Sequence, residues 1–341
     1  MSFKKTFLSL VLFAAAGFVY LNFSGNGISI PFKDKVEVST LTGLPGKDGP
    51  VLVVKIDDTT LAHPQQGLKD ADVVYIEQVE GGLTRLAAVF SSNIPALVGP
   101  VRSARISDIE LLAQYGKVGF SYSGAQRKFL PVLAAANLYN LGATSYGPNF
   151  YANDPARIAP YAMMLKAKDL LAEAATRGAV PATAKNMGWN FGELSADATP
   201  LESVHISWPA SSYDAKWSSE EDRWLLTHNG NFDTDESGYQ LGPKNIIIQL
   251  VSITDSIYKD KVGGVTPLVA TVGVGKCYIL REGTVTVGEW MRPDEASGTT
   301  FTDSTGAQIS LTPGQIWIAL TSKEPVLTPP ATQGAAKGSN K

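Results

Sequence analysis

The sequence predicts an α+β protein, with an N-terminal mixed α/β layer domain followed by a mostly antiparallel, β-rich C-terminal domain. Three observations carry that prediction. Before about residue 195, β-branched runs such as VLVVKI, ADVVYIEQV and LTRLAAVF alternate with stretches of helical character. After about Val204 nearly every periodic segment reads as a strand, and turns such as HNGN, REGT and STGA separate them. The chain has 341 residues, 44% of them hydrophobic and 18% charged, enough apolar material for two cores.

Taken in order, the chain opens MSFKK and continues TFLSLVLFAAAGFVYLNF, with no charged residue between Lys5 and Lys33. A cationic start ahead of an apolar run is an export signal, because the lysines stay cytoplasmic while the apolar segment enters lipid. Ala14-Ala15-Ala16 would suit a cleavage site. Phe18, Val19, Tyr20, Leu21 and Phe23, however, extend the run to about 18–20 residues, enough to span a bilayer. The expectation is a signal anchor over 1–24 that holds the body at the cell membrane on the extracytoplasmic side; a cleaved signal peptide and a secreted body is the alternative. Residues 25–37 read as a Gly/Ser/Asn stalk, and 324–341, rich in Pro and Gly, as a disordered tail.

The N-terminal domain is expected over 38–195. Within it Ser107 and Glu110 form a capping-box pair, so DIELLAQY should be helical with Ser107 as its cap. IAPYAMMLKAKDLLAEAATRG, with Pro160 in its first turn, one apolar face and Gly178 at its end, predicts a second helix. GELSADATPLES is the expected linker. The C-terminal domain, 203–323, contains RWLLTHN, KNIIIQLVSI, PLVATVG, KCYILRE, TVTVGEWM and QIWIALT, short strands suited to a sandwich or open barrel. Tryptophans Trp208, Trp217 and Trp224 are of the type that binds glycans, although in strands such residues usually pack the core.

A formal net charge of −3 gives no field for gathering phosphate backbones, so nucleic acid is not an expected partner. Cys277, the only cysteine, allows no internal disulfide and no cysteine-rich metal site, and its strand context marks a small buried hydrophobe. The three histidines, His63, His205 and His228, have no metal-ligand spacing, and His63 beside Pro64 reads as a loop residue. Gly273-Val274-Gly275-Lys276 is no phosphate loop, since Ala270 stands where the first glycine is needed. The acidic run from Asp233 to Gly238 lacks the calcium loop's twelfth-position glutamate, which is Lys244 here, and is better explained as a polar hairpin. No metal and no cofactor is expected.

Several segments resemble one family across most of the body. VLVVKIDD, HPQQGLKDADVVYIEQVEGGLTRLAAVFSS and GPVRSAR are similar to the N-terminal domain of the YerB-like family of bacterial lipoproteins (domain of unknown function 3048). KNIIIQL, VGVGKCYILREGTVTVGEWMR and LTPGQIWIAL resemble its C-terminal domain. The resemblance implies an exported two-domain envelope protein with no assigned activity. Two departures matter. The family's lipobox cysteine is absent, which changes the anchoring mode, and its Ala-Pro-His-Asn stretch is Ala159-Pro160-Tyr161-Ala162, which removes a candidate acid–base histidine.

Candidate chemistry concentrates in the N-terminal domain. Asp57 and Asp58 end a buried strand, where carboxylates often reach a crevice, though either could cap the following turn. Glu77 and Glu80 flank a tight Gly81-Gly82 turn; as a pair they could divide acid and base roles, or they could be solvated. Arg102 and Arg105 in GPVRSARISDIELL precede a helix and suit an anion, while pairing of Arg105 with Asp108 and of Arg102 with Glu80 or another strand-end carboxylate is the structural alternative. Arg105 is expected to be structural and Arg102 the ligand residue. The candidate binding set is Asp57, Glu80, Arg85, Arg102, Arg105 and Asp108, with no catalytic residue assigned. The functional expectation is a membrane-anchored, non-catalytic module for an anionic envelope polymer or partner protein; the alternative is an envelope hydrolase or transferase using carboxylates in a cleft.

Overall fold

The alternation of side chains along three central strands sorts the polar residues of this protein onto two faces of one sheet. The computed structural model describes residues 37–331, which belong to one compact unit. The segment read as an anchor or signal peptide, and nearly all of the stalk, lie outside the described residues. Among the described residues no helix is long and apolar enough to cross a membrane.

The N-terminal half supplies β1 (Leu52–Asp57), β2 (Val73–Gln78), β3 (Thr84–Phe90), β4 (Gly119–Ser121), β5 (Tyr139–Asn140), β6 (Tyr151–Asn153) and β7 (Met163–Leu165). Its helices are short: α1 (Ser107–Ala113), α2 (Leu130–Ala135), α3 (Ala143–Tyr146) and α4 (Ala167–Thr176). The C-terminal half is all strand: β8 (Thr199–Pro200), β9 (Ser203–Trp208), β10 (Ser211–Ser218), β11 (Arg223–His228), β12 (Asn231–Phe232), β13 (Asn245–Leu250), β14 (Ile253–Lys259), β15 (Val265–Val269), β16 (Gly273–Arg281), β17 (Thr284–Arg292), β18 (Thr300–Thr302), β19 (Ile316–Thr321) and β20 (Val326–Thr328).

One mixed sheet runs through both halves in the order β18-β17-β16-β13-β19-β2-β3-β1-β4-β5, with β8 joining β17. Its middle is parallel, β19 lying parallel to both β13 and β2, whereas β3 is antiparallel to β1 and β2. Central strands covered on both faces read as continuous apolar runs, and IWIALT and NIIIQL do so. A second sheet, β12-β11-β10-β9-β20, packs on one face, where Trp208, Trp224, Tyr213 and Trp317 fill the core with the even-numbered residues of β1. The opposite face holds Val53, Ala87 and Tyr75 under Leu111, Leu112 and Tyr115 of the α1 segment. The architecture is thus a mixed sheet with antiparallel sheets and few helices. Trp208 and Trp224 are core, and Trp217 packs its ring 5.3 Å from that of Trp224 rather than offering a glycan platform.

Three local expectations are corrected. The helix expected from Ile158 starts only at Ala167, because Leu165 exchanges two backbone hydrogen bonds with Val98 and Met163 accepts one from Val101, so a strand captures this stretch. Ser107 does not cap α1. Its Oγ accepts from the backbone of Val269 at 2.9 Å and so ties the helix to β15, while Asp108 takes the Arg105 N–H at 2.6 Å. Val326–Thr328, expected in the tail, pairs with β9. The acidic hairpin is as read: Asp235 Oδ1 accepts from the backbone of Ser237 and Tyr239 and closes the turn.

Candidate anion-binding site

Odd-numbered residues of β1 face α1, and two of them, Lys55 and Asp57, are polar. Lys55 is fully buried; its Nζ lies 2.6 Å from Glu77 Oε1 and 2.7 Å from Asp108 Oδ1. It reaches Glu77 of β2 across Ala87 of β3, a small residue that pairs directly with Lys55 in the register. Burial alone would lower the pKa of Lys55, but Asp108 and Glu77 outweigh it and hold the ammonium above its ordinary range. Burial, reinforced by the nearby Asp108 charge, lifts Glu77 to about 7 against the pull of Lys55. Glu77 is therefore a buried ion-pair member and not a solvated carboxylate.

One step along the strands, Asp57, Arg85 and Glu77 stand side by side in the register. Arg102 Nε meets Asp57 Oδ2 at 2.5 Å, and its guanidinium lies 5.5 Å from the centre of the Tyr161 ring. Arg105 grips Glu80 with Nε, 2.6 Å from Oε1, and with Nη2, 2.8 Å from Oε2, while Nη1 donates to the Ala104 carbonyl at 2.9 Å. Glu80 also accepts from the Thr266 hydroxyl of β15. Burial would raise the Glu80 pKa; Arg105 overrides it and holds the carboxylate below its usual range. The carboxylate that Arg105 pairs with is Glu80, not the Asp108 the sequence suggested. Asp108 serves Lys55 instead.

Arg85 is different. Its Nη1 donates to the Ser103 carbonyl at 2.7 Å, and among the described residues it joins no ion pair. It is 9% exposed, and burial, then the like charges of Arg105 and Arg102, pushes its pKa down to about 9. Arg85, Arg102, Arg105 and Glu80 all line a cavity of about 360 Å³, walled also by Phe129, Pro160 and the β14–β15 hairpin. Five of the six sequence candidates therefore meet: four line the cavity, and Asp57 holds one of its arginines. Asp108 lies beneath, fully buried. Lys55 was the residue overlooked. A lysine inside an otherwise apolar run, VLVVKI, was its available signal.

The other face carries a second polar cluster, which sequence spacing could not show. Gly81 and Gly82 both have positive φ, and a Cβ on Gly82 would lie 2.5 Å from Pro209, so glycine lets the two halves close here. Next to this contact Asp58 accepts from Thr84, Tyr213 and Gln65. His63 Nδ1 lies 3.2 Å from Asp233, its Nε2 lies 3.5 Å from Asp58, and His228 Nε2 lies 3.8 Å from the same carboxylate. The ligand atoms of Asp58, His63 and His228 fall within 4.8 Å of one another, a grouping that could be taken for a metal site. The imidazoles, however, are stacked 13° from parallel with centres 4.5 Å apart. A ring nitrogen binds a metal in its own plane, and two nearly parallel planes share no such point. As placed, the cluster holds a proton: burial would lower His63, but Asp233 and Asp58 raise it to about 10. Burial, and then the nearby His63, depresses His228 despite Asp58.

Comparison with known proteins agrees with this architecture. Residues 41–180 match the family model described as protein of unknown function (DUF3048) N-terminal domain, and residues 204–318 match its C-terminal domain. The protein named "Putative lipoprotein YerB" of Bacillus subtilis (strain 168) is 42% identical over 82 residues, 23% of this chain and 24% of that protein. The chain thus aligns with about a quarter of that relative's length. The crystal structure of YerB protein from Bacillus subtilis superposes with a TM-score of 0.72 at 20% identity, covering 86% of this chain and 99% of that one, which shows a shared fold. The chain belongs to the DUF3048 family.

Proposed function

We propose that this family member is a non-catalytic, extracytoplasmic binding module for an anionic group carried by an envelope component, a polymer or a partner, and that it is held at the membrane by its N-terminal segment. The supporting observation is Arg85: a buried guanidinium with a single carbonyl partner, opening into a cavity beside two more arginines. A planar fork left this free matches a phosphate or carboxylate bidentately, and a low-dielectric wall strengthens the attraction. Arg102 supports the same reading, since it lines the cavity while Asp57 engages it through Nε alone.

The hydrolase or transferase reading loses ground on the same contacts. Asp57, Glu77 and Glu80 face Arg102, Lys55 and Arg105 respectively, and a general base needs a carboxylate free to take a proton. The relative's name and the cationic, then apolar, N-terminus support placement at the envelope. The test is thermal unfolding with phosphate, sulfate and wall-derived anionic fragments, on the wild type and on Arg85→Gln and Arg102→Gln. The expected result is an anion-dependent rise in melting temperature that both substitutions remove. No rise with any of these anions in the wild type would refute the reading.

A further inference from the structure

The cavity mouth joins two features seldom found together on one rim. Its lining contains five cationic side chains, Arg85, Arg102, Arg105, Lys259 and Lys261, against two carboxylates, Glu80 and Asp260. Glu80 and Arg105 neutralise each other, Asp57 engages Arg102, and Asp260 Oδ1 is turned back onto the Val262 and Gly264 amides at 2.9 and 2.8 Å, which leaves Arg85, Lys259 and Lys261 without an ion-pair partner among the described residues. This concentration stands out on a chain whose formal net charge is −3. The second feature is apolar. Val262, at the tip of the β14–β15 hairpin, is 90% exposed, and Ile158, two residues before the cavity-lining Pro160, is 82% exposed. Val262 lines the cavity itself, so an apolar phase beside the bound anion would cover it.

We infer that the anion this cavity receives is the headgroup phosphate of an anionic lipid, with Val262 entering the membrane interface beside it. The inference rests on the anion-binding reading above and names the source of the anion. A soluble polyanion would satisfy the arginines and leave Val262 in water. A bilayer surface supplies phosphate and apolar depth at the same place, and attracts Lys259 and Lys261 through its negative potential. The hairpin is fixed in position for this role, because Thr266 bonds Glu80, Gln126 donates to the Lys259 carbonyl, and the Tyr258 ring meets Phe129 edge-on at 5.4 Å.

The test uses the full chain reconstituted in vesicles, with an environment-sensitive thiol probe on Val262→Cys. Cys277 does not compete, since it is fully buried and burial pushes its thiol up to about 12. A probe on Ser304→Cys, in a turn that does not line the cavity, is the control. The expected result is a blue shift at position 262 in vesicles containing phosphatidylglycerol, absent in pure phosphatidylcholine and absent at position 304. Arg102→Gln, Lys261→Glu, or excess inorganic phosphate added to the otherwise unaltered labelled chain should reverse it. An unshifted probe in phosphatidylglycerol vesicles, with the phosphate-dependent rise in melting temperature intact, overturns the lipid source and leaves the anion site standing. Equal shifts in both vesicle types overturn it too, since tethering alone would then explain contact. If neither vesicles nor phosphate has any effect, both readings fall.

Discussion

His63 gives the sharpest link between structure and a bulk measurement. Its ordinary pKa of 6.5 rises to about 10 in the folded protein, because Asp233 at Nδ1 and Asp58 at Nε2 outweigh the burial that would lower it. A raised pKa means that the folded state holds the proton more tightly. The stabilisation is complete below pH 6.5 and is lost as pH climbs towards 10. Between those limits the unfolded chain has released the proton and the folded one has not, so stability falls by about 1.4 kcal/mol per pH unit. From pH 6.5 to 9 the loss is about 3 kcal/mol at most, an upper bound since Nε2 stands at 3.5 Å from Asp58, long for a full hydrogen bond. Other groups do not mimic this slope. The depressed His228 acts below pH 6.5, Glu77 is half titrated near pH 7 and adds a small common slope to both proteins up to about pH 8, and Arg85, lowered to about 9, adds stability only as pH rises beyond that. The assay is urea unfolding of the wild type and His63→Gln at several pH values between 7 and 9. The wild-type midpoint should fall steadily up to about pH 9, and that of His63→Gln should fall only slightly up to about pH 8 and stay level above it. Parallel slopes in the two proteins would show that the stacked imidazole pair does not hold the proton.

Four further outcomes follow from the contacts. Arg105→Ala and Arg102→Ala should each lose on the order of 3 kcal/mol in urea unfolding, because they strand the buried Glu80 and the fully buried Asp57, and Arg102→Ala should in addition abolish the anion-dependent melting shift. Lys55→Met should cost about 3–5 kcal/mol, since two carboxylates lose their only cation in the core; an unchanged midpoint would contradict the triad. Gly82→Ala should destabilise by more than about 1 kcal/mol, from the positive φ and the clash with Pro209, and melting of that variant measures it. Limited proteolysis should cut first in the exposed stretch from Glu193 to Asp197, and the nicked protein should still elute as one species on gel filtration, because β19 is paired to β2 across the cut.

How much of this was legible beforehand depended on the range of each interaction. Strand content, turn positions and the burial of Cys277 follow from local pattern, and they hold. The capping box at Ser107 failed because a hydroxyl's best partner was decided 162 residues away, at Val269. The long helix failed because the backbone of Val98 claimed Met163–Leu165 for a ladder, and ladder bonds formed over such distances leave no trace in a helical period. For the site, the arginines announced themselves by type and by the turn before α1. Their assignments did not, since Arg105 chose a carboxylate 25 positions back over one three positions on.

The same alternation explains why one protein carries two polar clusters so close together and keeps them apart. Asp57 and Asp58 are adjacent in sequence, yet one pairs with Arg102 on the α1 side and the other accepts from Tyr213 on the β10 side. The apolar residues of β1 to β3, all fully or nearly fully buried, stand between them and give each cluster its own low-dielectric wall. On the inner face the charges are closed: Asp58 and Asp233 flank the two ring nitrogens of His63. On the α1 face they are open by one group, because Arg85 lies between Asp57 and Glu77 in the register while those carboxylates are drawn to Arg102 and Lys55. A buried cation left over in this way is costly to the fold, and a bound anion removes that cost. On the proposed reading, an anion that fills the cavity should raise the melting temperature of the whole sheet, since β3, which bears Arg85, is the strand that joins β1 to β2.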